Sequence, residues 1–189
     1  MAQRSSGFRA LMAALGAAIF GGAAYLLGRD SPVGSGKTSG NGCSEEAFRK
    51  RVVDAARSQV GKKDLNTYFA DAAPQFVGQH PEWCGIFALW ALHQAGLAKD
   101  KTWETGLGFL ETKPRFPNTT DPKPGDIAYY EHPYQHQAVV LANNGDGTTE
   151  NANGNGQGGV VSISRPAISS ATAFYSLSKV IAKAQEGCK

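Results

Sequence analysis

Trp83-Cys84-Gly85-Ile86-Phe87-Ala88-Leu89-Trp90 forms the core of the most apolar segment in the C-terminal two thirds of the chain, and a cysteine stands near its start. Pro81 and Glu82 just ahead suit the first turn of a helix, because proline has no N–H to lose there and a carboxylate is favoured at the positive end of the helix dipole. Ile86, Phe87, Leu89, Trp90 and Leu92 recur toward one core, and Gly96 ends the run. The expected helix therefore carries Cys84 in its first turn. A thiol so placed beside an imidazole ionises more readily, and the thiolate is the form that attacks a carbonyl. Taken alone, however, Cys84 is more simply a small buried hydrophobe, as free cysteines often are.

The weight shifts once the second half of the chain is read with it. Pro122-Lys123-Pro124-Gly125-Asp126 reads as a turn that launches a strand over 127–131. A short loop, His132-Pro133-Tyr134-Gln135, then leads into an alternating strand over 136–142 that opens His136-Gln137-Ala138-Val139-Val140. A histidine mounted on a strand has a rigid support, so His136 is the candidate base. His80 reads as a cap or loop residue, His93 as a helix-face residue, and His132 as the rival to His136. A cysteine–histidine pair needs a third polar group to fix the ring tautomer. The next strand offers Glu150, Asn151, Asn153 and Asn155, and alternation puts Asn151 and Asn153 on one face with Glu150 on the other. Asn153 is the first candidate and Asn151 the second, against the reading of this Gly/Asn-rich stretch as turn material only.

The remaining elements set the fold class. Ser44 is an expected N-cap with Glu45 and Glu46 in the first turn, Phe48, Val52, Ala55, Ala56 and Val60 follow at helical spacing, and Gly61 stops the helix. Further strands are expected over 148–152, 160–164 and 174–181, with Asn144-Gly145-Asp146-Gly147 as a turn. That turn falls short of the spacing of an EF-hand loop, and neither a metal nor another cofactor is expected. Helices first and a mostly antiparallel sheet afterwards make an α+β fold.

Ahead of the domain, Arg4 and Arg9 precede an uncharged apolar run over 10–27, just long enough for a bilayer core of about 30 Å. Residues 1–29 thus read as an uncleaved signal anchor, with a cleaved signal peptide as the alternative, and the basic residues before the run direct the rest of the chain outward. Residues 30–42, with almost no large apolar side chain, read as a flexible linker, and 43–189 as the domain. The formal net charge of +3 is spread along the chain, which gives no footprint for nucleic acid. Three cysteines suit an exported protein. Cys43 with Cys188 would join the ends of the domain, contributing about 4–5 kcal/mol on the chain-entropy model. Cys43 with Cys84 stays open and would hold the nucleophile inactive until thiol exchange released it.

The motifs Trp83-Cys84-Gly85-Ile86-Phe87-Ala88-Leu89-Trp90, Pro124-Gly125-Asp126-Ile127, His136-Gln137-Ala138-Val139-Val140 and Asn151-Ala152-Asn153 resemble the CHAP/NlpC-like family of cysteine, histidine-dependent amidohydrolases and peptidases over about 48–181. The resemblance implies a papain-like core of N-terminal helices on a mostly antiparallel sheet. It also implies peptidoglycan as partner, cut at the stem peptide or the glycan–peptide junction by a monomer tethered to the membrane through its N-terminal helix or secreted. By position, Cys84 is the nucleophile, His136 the general base and later acid, and Asn153 the orienting residue. Two departures stand out: Gln135 precedes the histidine where many relatives have glycine, and Asn151 stands where many have glutamate. Trp83, Tyr68, Phe69, Tyr129, Tyr130 and Tyr134 are candidates to line a substrate groove. Other activities compatible with the fold are a non-catalytic wall-binding module, an acyltransferase and a protein-directed peptidase.

Overall fold

The computed structural model describes residues 41–188 apart from positions 80, 105 and 114. The expected anchor over 10–27, the linker up to position 40 and His80 lie outside the described residues. Asn41 and Gly42, at the end of that linker, belong to a short 3-10 turn, Asn41–Cys43. Among the described residues no helix is long and apolar enough to cross a membrane.

Among the described residues five helices run α1 Glu45–Arg57, α2 Leu65–Ala72, α3 Cys84–Gln94, α4 Gly108–Glu111 and α5 Ser178–Glu186, and six strands run β1 Asn118–Thr119, β2 Ile127–Tyr130, β3 His136–Asn143, β4 Thr149–Asn153, β5 Ser162–Ser164 and β6 Ala173–Tyr175. The strands form one sheet in the order β1-β6-β2-β3-β4-β5, antiparallel at every pairing. The α+β class and the antiparallel sheet are as expected from the sequence.

The helix α3 is the axis of the core. Every residue from Gly85 to His93 is buried, which fits a helix apolar all round and enclosed on all sides. It packs on β3, with α1 and α2 against its flanks. Phe87 and Trp90 stack, and Tyr68 meets both edge-on. Rings of this size dominate core energetics, each contributing about 1.5–3 kcal/mol on full burial.

Ser44 caps α1 as expected, its hydroxyl accepting from the Ala47 N–H at 3.1 Å. Val60 lies past the end of α1 and is 43 % exposed rather than buried, because the helix stops at Arg57. A helix over 65–72 was not among the elements expected above. Asp64 caps one there, accepting from the Thr67 N–H at 3.4 Å, and it buries Tyr68, Phe69 and Ala72.

The strand expected over 174–181 is also corrected. It ends at Tyr175, and α5 takes over with Val180 and Ile181 buried at helical spacing. A distant side chain makes the switch: the Leu177 N–H donates to Asp126 Oδ1 at 3.0 Å. Asp126, buried in the Pro-Gly-Asp turn, also accepts from Arg49 Nη1 at 2.7 Å and from the Lys123 N–H at 2.9 Å, so one carboxylate joins α1, the launch of β2 and the start of α5. Gly125 stands beside it at φ +91°, in the region that favours glycine.

Cys43 is bonded to Cys188 across a sequence separation of 145, and Cys84 is free. The Cys43–Cys84 pairing and the thiol-exchange switch built on it are therefore overturned, since Cys43 is committed at the far end of the domain. Closing a loop of that length is worth about 5 kcal/mol in the chain-entropy model.

Candidate active site

Cys84 is the first residue of α3, and the preceding Trp83 offers no side-chain cap. The first N–H groups of the helix are thus unclaimed by a capping oxygen, and they point toward whatever stands at this end. His136 is the first residue of β3 and Asn153 the last of β4. Register pairs Ala138 with Asn153, and His136 lies two residues before Ala138 on the same face. Its Nε2 meets Asn153 Oδ1 at 2.9 Å.

The Asn153 amide is fixed from behind. Its Nδ2 donates to Asn151 O at 3.2 Å, Ser162 O at 3.1 Å and Ser164 Oγ at 3.0 Å, so the amide oxygen is the atom turned to the ring. An oxygen acceptor requires that Nε2 carry the proton, which leaves Nδ1 for the thiol. Burial works against ionising Cys84. The hydrogen bond and charge of His136 overcome it, with help from the backbone N–H groups of Gln137 and Gly85, and the thiol titrates below its ordinary value. Burial likewise opposes a charged His136, yet the hydrogen bond and charge of Cys84, then Asn153 and the charge of Glu82, hold the imidazole above the usual histidine value. The two shifts favour a thiolate–imidazolium pair.

Cys84, His136 and Asn153 open onto one cleft of about 1150 Å³. The second candidate, Asn151, is not at the ring. It is wholly buried and donates to Tyr130 Oη at 2.8 Å, while the Tyr130 ring lies 6.2 Å from that of His136. Asn151 therefore supports the aromatic wall behind the imidazole. Glu150 faces the other way and pairs with Arg57 at 2.6 Å and Arg165 at 3.0 Å. Asn155 lines the cleft and donates to Glu82.

His93 is a structural residue, as expected: Nδ1 meets Asp71 Oδ2 and Nε2 meets Ala98 O, both at 3.0 Å. His132 lies on the exposed cleft rim, beside a cis peptide bond to Pro133. Of the six expected groove aromatics, Trp83, Tyr68 and Phe69 are core residues, corrected by their burial, whereas Tyr129, Tyr130 and Tyr134 line the cleft.

Trp103, Gln137 and Gly85 were not anticipated as cleft residues. A Cβ at Gly85 would run into Trp103 Nε1 and Gln137 Oε1, so no larger residue fits behind Cys84 without moving the wall. Trp103 sits in an irregular stretch held by its N–H on Ala72 O at 2.8 Å, and no local pattern announces it.

Asn153→Ala removes a hydrogen bond to a charged ring, worth about 1.5–3 kcal/mol, so turnover is expected to fall about 10- to 100-fold. The alkaline limb of the pH–rate profile should also move to lower pH, because Asn153 is one of the groups that raise the His136 value. A steady-state pH profile checks both.

Residues 76–155 match the family model of the CHAP domain. Over this segment the chain is similar to CHAP domains. The matched segment spans α3 to β4 and includes Cys84, His136 and Asn153, a narrower stretch than the resemblance over 48–181 read from the motifs. CHAP domains are generally amidase- or peptidase-type hydrolases that act on peptidoglycan. No curated protein and no solved structure matches the chain.

Proposed function

We propose that the protein hydrolyses an amide or peptide bond of bacterial peptidoglycan, with Cys84 as nucleophile, His136 as acid and base and Asn153 as the orienting residue. The observation that carries the reading is the Asn153–His136–Cys84 relay at the mouth of an open cleft, with the thiol shifted down and the imidazole up. The Cys84 thiolate attacks the scissile carbonyl carbon, and the carbonyl π pair moves onto oxygen. Backbone N–H groups at the start of α3, including that of Cys84, stabilise the oxyanion. As the carbonyl re-forms, the C–N bond breaks and His136 passes its proton to the leaving nitrogen, which departs as an amine and leaves a thioester. Neutral His136 then takes a proton from water, the hydroxide adds to the thioester, and collapse releases the carboxylic acid and restores the thiolate–imidazolium pair.

In the same reading, the domain over 43–189 works on the outer side of a membrane, tethered by residues 10–27 and the linker over 30–42. The test is to incubate the full chain with purified peptidoglycan and identify new termini by mass spectrometry. New amino and carboxyl termini in equal amounts support hydrolysis. Intact sacculi, or products in which an acyl group has moved to another amine, overturn it.

A further inference from the structure

The chain has 19 Lys and Arg against 16 Asp and Glu. Among the described residues, none of those cations lines the cleft that holds Cys84, whereas Glu82 and Glu131 both do. The local charge at the site is therefore opposite in sign to that of the whole molecule. Topology sets where the two carboxylates stand. Glu131 directly follows β2, and Glu82 is gripped by Asn155, two residues past the end of β4. Since β3 runs between β2 and β4, His136 at its start is bracketed by an acid on either side. Both carboxylates are exposed, and the charge of Glu82 reaches the His136 ring. A cleft of one sign with low-dielectric walls concentrates ligands of the other sign. Here the walls are aromatic and prolyl: Trp103, Tyr129, Tyr130, Pro81, Pro133 and Pro166.

We propose that the cleft selects substrates carrying an ammonium group close to the scissile carbonyl, and that Glu82 and Glu131 are its specificity-determining residues. The proposal rests on the reading of the cleft as the hydrolytic site. Two sources supply that chemistry in a peptide: the side-chain amine of a diamino acid and a free N-terminal amine. The same field works against substrates that present a free carboxylate at that position.

The first measurement is the rate of muropeptide release by the full chain from untreated peptidoglycan and from peptidoglycan N-acetylated with acetic anhydride. Acetylation should slow the wild type about tenfold, and the ratio should shrink toward one in the double variant Glu82→Gln, Glu131→Gln. Reading a ratio removes the general loss that follows from weakening the support of His136 by Glu82. Equal rates on the two substrates, or the same ratio in the double variant, overturn the proposal. Peptides with one free amine, either side-chain or N-terminal, separate the two sources, and no preference for either over the fully acetylated peptide also overturns it.

A second measurement does not depend on hydrolysis. Cys84 is the free cysteine, so the rates of its modification by a cationic and an anionic methanethiosulfonate report the field at the nucleophile alone. The cationic reagent should gain about tenfold over the anionic one relative to a small free thiol, and that gain should fall in the double variant. A cleft indifferent to reagent charge sinks the inference. Loss of peptidoglycan cleavage with the charge preference intact sinks the hydrolase reading instead.

Discussion

Cys84→Ala is expected to abolish hydrolysis, with a loss of about ten-thousand-fold or more, because Cys84 is the only cysteine among the described residues of the cleft and the proposed acyl-enzyme forms on its sulfur. His136→Ala should lose nearly as much, since nucleophile and base act as one unit and the effects of their removal do not add. The informative comparison is in the thiol itself. In the wild type, alkylation of Cys84 by iodoacetamide should persist below the pH range of an ordinary thiol, since the His136 hydrogen bond and charge outweigh burial there. Removing the ring leaves burial, which raises the thiol value, against two backbone N–H groups. The alkylation midpoint in His136→Ala must therefore move up, and the rate at pH 6 should drop about tenfold or more, at one decade per unit. The hydrolytic profile should be bell-shaped. Its acid limb is the ionisation of Cys84, displaced downward, and its alkaline limb is the deprotonation of His136, displaced upward. Alkylation in His136→Ala that matches the wild type at pH 6 would show that the ring does not activate the thiol.

Much of this site was legible in the sequence because its signals are local. Cys84 lies in the first turn of an apolar helix and His136 opens an alternating strand, so period and turn chemistry placed both near the start of an element, whereas Asn153 fell one residue past the strand expected over 148–152 and closes β4 in the structure. The choice between Asn153 and Asn151 was also within reach of alternation only as a pair: both share a face, and it is the antiparallel register of Ala138 with Asn153 that brings position 153 to the ring and leaves 151 behind Tyr130. What the sequence hid depends on distant partners. Trp103 enters the cleft from an irregular stretch pinned to Ala72. The segment after Phe174 looked like a continuing strand because its apolar residues are close together, yet a carboxylate about fifty positions upstream turns it into a helix. Trp83, Tyr68 and Phe69 looked available for a groove, but aromatic residues close to a nucleophile in sequence are drawn into the core by the helix that carries it.

That distant carboxylate also sets the largest expected effect on stability. Asp126→Ala leaves Arg49 buried without its main counter-ion, and it strips the acceptor from the N–H groups of Lys123 and Leu177. Breaking a buried pair from one side costs about 3–5 kcal/mol, against a total stability of only about 5–15 kcal/mol for a typical domain. Asp126→Asn should cost less than the alanine variant, because an amide oxygen in the place of Oδ1 still accepts from both Arg49 and the Leu177 N–H. It does not restore the wild type, since the charge is gone and its NH₂ group opposes the Lys123 N–H, a donor against a donor. Urea unfolding of the three proteins should rank them wild type, asparagine, alanine, with an unchanged slope if the native state keeps its compactness. The reason lies in connectivity: the Oδ1 atom serves α1 and the start of α5 while Oδ2 holds the turn that launches β2. Since β2 pairs with β3 at Tyr130 and His136, loosening that turn loosens the strand that carries His136. An alanine variant as stable as the wild type would mean that the existing bond from Arg49 Nε to Glu45 Oε1 at 2.7 Å, together with water, satisfies the guanidinium without cost, and that the junction is not a keystone of the fold.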